Sequence, residues 1–206
     1  MTLARAAVTA ALALCLAAAV RAEAWLPSSA DRVALERREV VVHSAELPNQ
    51  PASERGREVR AAIRIRASAE RIFAAMTHCE TALQFVPKLR KCVLIERDPQ
   101  TGAEIIEHEV DYGWYAPAVN YTFRAEYEPN RSVTFTTVAG DLARNEGRWE
   151  LTPLNPDPVT GEPDTLLTYR VVAVPRIRIP QSWVRASLTR ELPRMLRALR
   201  DYTERD

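Results

Sequence analysis

The chain has 206 residues, enough for one domain plus a processed segment, with 47% hydrophobic and 27% charged side chains. Its 28 basic and 27 acidic residues leave a formal charge of +1. That balance excludes nucleic acid as the main partner, because phosphate binding needs a basic surplus.

In chain order, MTLARAAVTAALALCLAAAVRAEAW comes first. Arg5 supplies a basic start, Ala6 to Val20 an apolar run, and Ala22 and Ala24 the small residues of an A-x-A site. Residues 1–24 therefore read as a secretory signal peptide cut after Ala24, with a periplasmic destination. The apolar run is short for a membrane anchor, and Leu14 before Cys15 does not suit a lipoprotein. Without residues 1–24 the chain is formally neutral and has no segment resembling a transmembrane helix. Cys79 and Cys92 then remain, and in an oxidising compartment the expectation is a disulfide rather than two buried thiols.

Residues 25–56 read as an N-terminal leader with an extra strand: a loose stretch over 25–36, a strand at Arg38 to Ala45, and a turn-rich connection. The main domain follows over 57–206. Val59, Ala61, Ile63 and Ile65 alternate with Arg60, Arg64 and Arg66, the pattern of a strand with one buried face. Ser68 suits a helix N-cap before Ile72, Phe73 and Met76. A second short helix over Glu80 to Val86 is stopped by Pro87 and leads to a strand containing Val93 and Ile95. Such a short helix is unstable alone, so it must lie on the rest of the domain and cap one end of it.

Five more strands are expected, over 104–112, 119–128, 131–138, 144–152 and 165–174. One face collects Ile106, His108, Val110 and Tyr112; Tyr121, Phe123, Ala125 and Tyr127; Val133 and Phe135; Gly147, Trp149 and Leu151; Leu167, Tyr169 and Val171. The other face is charged, with Arg124, Glu126, Arg148, Glu150 and Arg170. Near the C-terminus Val184, Leu188, Leu192, Met195, Leu199 and Tyr202 recur at steps of three and four, one stripe of a long helix that Pro193 should kink. A curved antiparallel sheet around that helix is an α+β design.

ASAERIFAAMTHCETALQFVPKLRKCVLIER, AGDLARNEGRWELTPL and VPRIRIPQSWVRASLTRELPRMLRALRDYTE resemble, in order and spacing, the START-like polyketide cyclase/dehydrase superfamily, nearest its coenzyme Q-binding group. The likeness covers about residues 57 to 203. It departs from the quinone-binding relatives at Asp141, where they often carry proline, and over Ala143 to Glu146. The resemblance implies a helix-grip fold with a hydrophobic cavity between sheet and C-terminal helix, holding a lipid, isoprenoid or polycyclic molecule.

Residues expected to face such a ligand are Phe85, His108, Tyr112, Trp114, Tyr121, Phe123, Phe135, Trp149, Tyr169, Leu188 and Met195. Each has a structural alternative, since aromatic side chains on an inner face can equally be filled core. His108 could bond a ligand carbonyl or be a core histidine. Trp114 and Tyr115, in DYGWYAPAV, suit a mouth or a contact patch. The arginines of the last helix could touch an anionic membrane transiently or simply be solvated. No G-x-S-x-G, glycine-rich phosphate loop, H-E-x-x-H or C-x-x-C occurs, and His43, His78 and His108 are too widely spaced for a metal set. No catalytic residue, metal or cofactor is expected. The functional expectation is an exported carrier of an apolar small molecule; the alternatives are a cyclase or aromatase on the same fold and an envelope interaction module.

Overall fold

The computed structural model describes residues 25–48, 56–111, 118–176 and 190–205. Residues 25–36 are not a loose leader. They contain α1 (Ser29–Glu36), capped by Ser28, whose hydroxyl accepts from the Asp31 N–H while the Asp31 carboxylate accepts from the Ser28 N–H. This is a capping box with aspartate in place of the usual glutamate. Leu35 of α1 is buried with Val41 and Ala62. α1 thus covers a corner of the sheet's outer face that alternation alone marks as wet.

The first strand also begins later than its composition suggests. Arg38 has φ +61° and terminates the helix, its N–H donating to Leu35 O, so β1 runs over Val41–Glu46. β2 (Arg57–Ile65) pairs with it antiparallel, Val41 opposite Ala62. Then come α2 (Ala69–Thr77) and α3 (Cys79–Phe85), followed by β3 (Leu89–Arg97), β4 (Glu104–Val110), β5 (Val119–Glu128), β6 (Ser132–Gly140), β7 (Leu142–Pro153) and β8 (Thr165–Pro175). The described residues close with α4 (Leu192–Thr203).

All eight strands form one antiparallel sheet in the order β1-β2-β8-β7-β6-β5-β4-β3. Strands β3 to β8 are a simple meander. β2 and β3, close in sequence, lie far apart in the sheet, and α2 and α3 carry the chain between them. Val86, Pro87 and Lys88 make the turn into β3, with Lys88 at φ +64°. Cys79, at the start of α3, is joined by a disulfide to Cys92 of β3, with Cα atoms 5.2 Å apart, which fastens the helix pair to the far edge of the sheet.

The inner face of β2 is closed: Val59, Ala61, Ile63 and Ile65 are all fully buried, together with Ile72 of α2, Phe85 of α3, Leu167 of β8, and Leu196 and Leu199 of α4. Each large side chain of this kind stabilises the fold by about 1.5–3 kcal/mol relative to exposure. Pro193 is the second residue of α4, and Arg190 and Glu191 just before it are π-helical, the local widening expected where a proline interrupts a helical path; most of the segment expected to precede it, residues 177–189, lies outside the described residues. The outer face carries ion pairs between strands, Arg170 with Glu58 at 3.0 Å and Arg148 with Glu128 at 3.1 Å, and one along β7, Arg148 with Glu150 at 3.0 Å. At the other end of the molecule Glu204 pairs with Arg38 and accepts the Arg66 N–H at 2.8 Å, tying α4 to the N-terminal strands.

Candidate functional site

Strand register brings the inner-face rings into one continuous strip. His108 of β4 lies opposite Tyr121 of β5, and Trp149 of β7 opposite Tyr169 of β8. Ring centroids are 5.4 Å apart for His108 and Tyr121, 5.0 Å for His108 and Phe123, 6.2 Å for Phe123 and Phe135, 6.2 Å for Phe135 and Tyr169, and 3.8 Å for Trp149 stacked on Tyr169. The strip therefore crosses five strands. Gly147 makes its centre possible. A side chain there would fall on the Arg170 carbonyl oxygen and 2.7 Å from the tip of the Phe135 ring, so only glycine lets that ring lie across β7.

Two polar groups on this wall, His108 and Tyr169, are neutral. Burial holds the His108 pKa down at about 4, well below its ordinary 6.5, so the imidazole is uncharged near neutral pH. Its Nδ1 is 3.2 Å from the Tyr121 hydroxyl. Burial also raises the pKa of Tyr169, with the neighbouring Tyr121 adding to the shift, so this phenol stays protonated. Tyr169 is stacked on Trp149 and is partly buried.

Of the other expected ligand-facing residues, Phe85 is buried against Tyr202, ring centroids 6.3 Å apart. Met195 packs half-buried on the same core. Phe85 and Met195 sit at the helix end of the core rather than on the strip of rings. Tyr112, Trp114, Tyr115 and Leu188 lie outside the described residues. Sequence reasoning missed Glu104, a buried carboxylate at the start of β4 that accepts the Tyr127 hydroxyl at 2.6 Å and pairs with Arg97. Burial and that carboxylate raise the Tyr127 pKa. The signal was present, since Glu104 shares the parity of Ile106 and His108 and Tyr127 that of Phe123. No cluster of three or more metal-ligating side chains occurs among the described residues, and none of their helices is long and apolar enough to cross a membrane.

One antiparallel sheet curved around a C-terminal helix, with two short helices between the first core strand and the meander, defines the START-like helix-grip class. Solved structures agree. A START superfamily protein from Mycobacterium smegmatis matches with a TM-score of 0.59 and 21% identity over 71% of this chain and 97% of its own. A STAR-related lipid transfer protein from Xanthomonas axonopodis matches at 0.56 and 18%, over 79% and 99%. The Zhui aromatase/cyclase from Streptomyces sp. R1128 matches at 0.56 and 17%, over 73% and 94%. The chain belongs to the polyketide cyclase/dehydrase and lipid transport family, whose model matches residues 65–200. No curated protein matches it in sequence.

Proposed function

We propose that this protein is an exported binding protein or carrier for an apolar small molecule, held against the strip of rings from His108 to Trp149. The observation that carries the reading is the combination of that strip with the neutral His108 and Tyr169 upon it. Apolar rings favour a lipid, isoprenoid or polycyclic body. The His108–Tyr121 couple and the Tyr169 hydroxyl suit a neutral polar end such as an alcohol, phenol or ketone. Among the described residues no cationic side chain joins the strip, and a carboxylate buried there without one would carry a large desolvation cost, which disfavours a fatty acid. A quinone satisfies the same neutral groups, in keeping with the likeness to the coenzyme Q-binding group. Export is supported by the leader at residues 1–24 and by the Cys79–Cys92 disulfide, which suits an oxidising compartment. One of the solved neighbours is named a lipid transfer protein.

A cyclase or aromatase is the second reading. It is favoured by the His108–Tyr121 couple, 3.2 Å apart within an apolar wall, and another solved neighbour is named an aromatase/cyclase. Against it, a histidine of pKa about 4 is a weak general base at neutral pH. Native mass spectrometry of protein isolated from its own compartment, followed by solvent extraction, tests the carrier. A stoichiometric apolar adduct that disappears in Phe123→Arg is the expected result. A clean apo mass that persists after incubation with lipids and quinones overturns it. Turnover of a poly-keto substrate that is lost in His108→Phe would establish the enzyme instead.

A further inference from the structure

On the side of the molecule formed by the helices, α2, α3 and the end of α4 surround an open depression of about 530 Å3. Its floor is apolar: Ala75 belongs to the buried core, and Tyr202 packs its ring on Phe85 beneath. Its walls are cationic and hydrogen-bonding, with Arg71 on one side, Arg205 on another, and His78 and Thr81 between.

Many surface arginines are matched with carboxylates, as in Arg64–Asp164 at 2.5 Å, Arg124–Glu126 at 3.0 Å and Arg170–Glu58 at 3.0 Å. No carboxylate lines the depression among the described residues. Arg71 makes no ion pair among them, and Arg205 donates its Nε to the carbonyl of Asp201 at 2.9 Å, which leaves its charge unmatched. The nearby acids are turned to other partners: Glu204 to Arg38, and Asp201 towards Arg200 at 3.9 Å. Glu70 and Glu80, one residue from Arg71 and from Thr81 respectively, are exposed and do not line the depression.

His78 is held at the rim, its Nδ1 2.6 Å from the Ala74 carbonyl and donating to it, so that the ring borders the space between the two arginines. Two guanidiniums around an apolar floor match a tetrahedral oxyanion attached to an organic group.

We propose that this depression binds a phosphate group, either on an anionic lipid headgroup or on a soluble phosphomonoester. The site is separate from the strip of rings on the sheet and stands whether or not a ligand is found there.

The test uses the whole chain and two probes. Inorganic phosphate, and vesicles of phosphatidylglycerol in phosphatidylcholine, are titrated separately while the His78 ring signals are followed by NMR and vesicle binding by sedimentation. With only three histidines in the chain, the assignment is direct. Arg71→Glu reverses an exposed charge without touching the core, and Arg131→Glu makes the same change at an exposed arginine of the β5–β6 turn, away from the depression. The expected result is a shift of His78 with at least one probe, and affinity for that probe reduced by about tenfold or more in Arg71→Glu but unchanged in Arg131→Glu. Response to vesicles without response to free phosphate assigns the lipid headgroup; the reverse assigns a soluble phosphomonoester. An unmoved His78 with both probes, or equal losses in the two variants, overturns the proposal.

Discussion

His108 carries the sharpest consequence at the scale of single residues. In the folded chain it stays neutral down to about pH 4, whereas in the unfolded chain it takes up a proton near its ordinary 6.5. Between those values the unfolded state binds the extra proton, so stability falls as pH falls, by about 1.4 kcal/mol per unit, and the loss stops growing below about pH 4. Above 6.5 the group contributes no slope. Urea denaturation at pH 7 and pH 5 should therefore show the wild type losing about 2 kcal/mol more than His108→Phe over that interval. Equal losses would mean that His108 is not held neutral. Alternation in the sequence was enough to put His108 on the face of Phe123, Phe135, Trp149 and Tyr169, because a strand's period of two leaves little freedom. It could not show that Tyr121 approaches His108 within bonding distance, or that Glu104 and Tyr127 find each other, since those contacts depend on cross-strand register. Asp141 is a similar case. Its N–H donates to Asn120 O at 2.7 Å and its carboxylate accepts the Asn120 N–H at 2.8 Å, a pair of bonds that proline at this position could not make.

Among the elements, β7 is the most constrained. Gly147 faces Val171 on one neighbour and Phe135 on the other, and no side chain fits there. Gly147→Ala should destabilise the protein by about 1–3 kcal/mol through overpacking, read as a lower thermal midpoint. It should also disturb the near-ultraviolet signal of Trp149 two residues along. An unchanged midpoint would mean that β7 and β8 are not so closely apposed. The sequence marked this glycine only as one position in an alternating run; its reason lies in the β7–β8 approach, which no local pattern records. α1 escaped for a different reason. Its capping box uses Asp31 at the position where glutamate or glutamine is the recognisable signal, and its single buried anchor, Leu35, is too little for a visible stripe. By contrast α2 and α3 were legible within a residue or so, because Ser68 caps the first and Val86–Pro87 ends the second.

For the whole molecule, the α+β design was readable in the sequence, since helix and strand periods alternate cleanly and every strand from β3 onward is followed by a turn signal, and the helix-grip arrangement followed from the family resemblance. The order of strands was not readable from those patterns. β2 needs β8 as its inner neighbour, with Ile65 opposite Thr165, and nothing local to either strand announces the other. The Thr165 hydroxyl bonds to the Ala67 carbonyl across a separation of 98 residues at that junction. A chain truncated after Pro153 should therefore fail to fold, as judged by protease sensitivity and loss of cooperative unfolding, although it keeps α2, α3 and strands β2 to β7. A protease-resistant, cooperatively melting fragment would show that the β2–β8 pairing is dispensable.

The same pairing has a consequence for the chain in time. Synthesis runs from the N-terminus, so β2 emerges first among the core strands and its partner almost last. α2 and α3 follow β2 directly and bring Ile72 and Phe85 to its apolar face, but until β8 arrives the inner edge of β2 has no strand to pair with. The Cys79–Cys92 link spans only 13 residues and can form early, but it fastens α3 to the opposite edge and does nothing to shorten that wait. The sheet is thus completed only when nearly the whole chain is present, and β2 is the strand that waits longest for its neighbour.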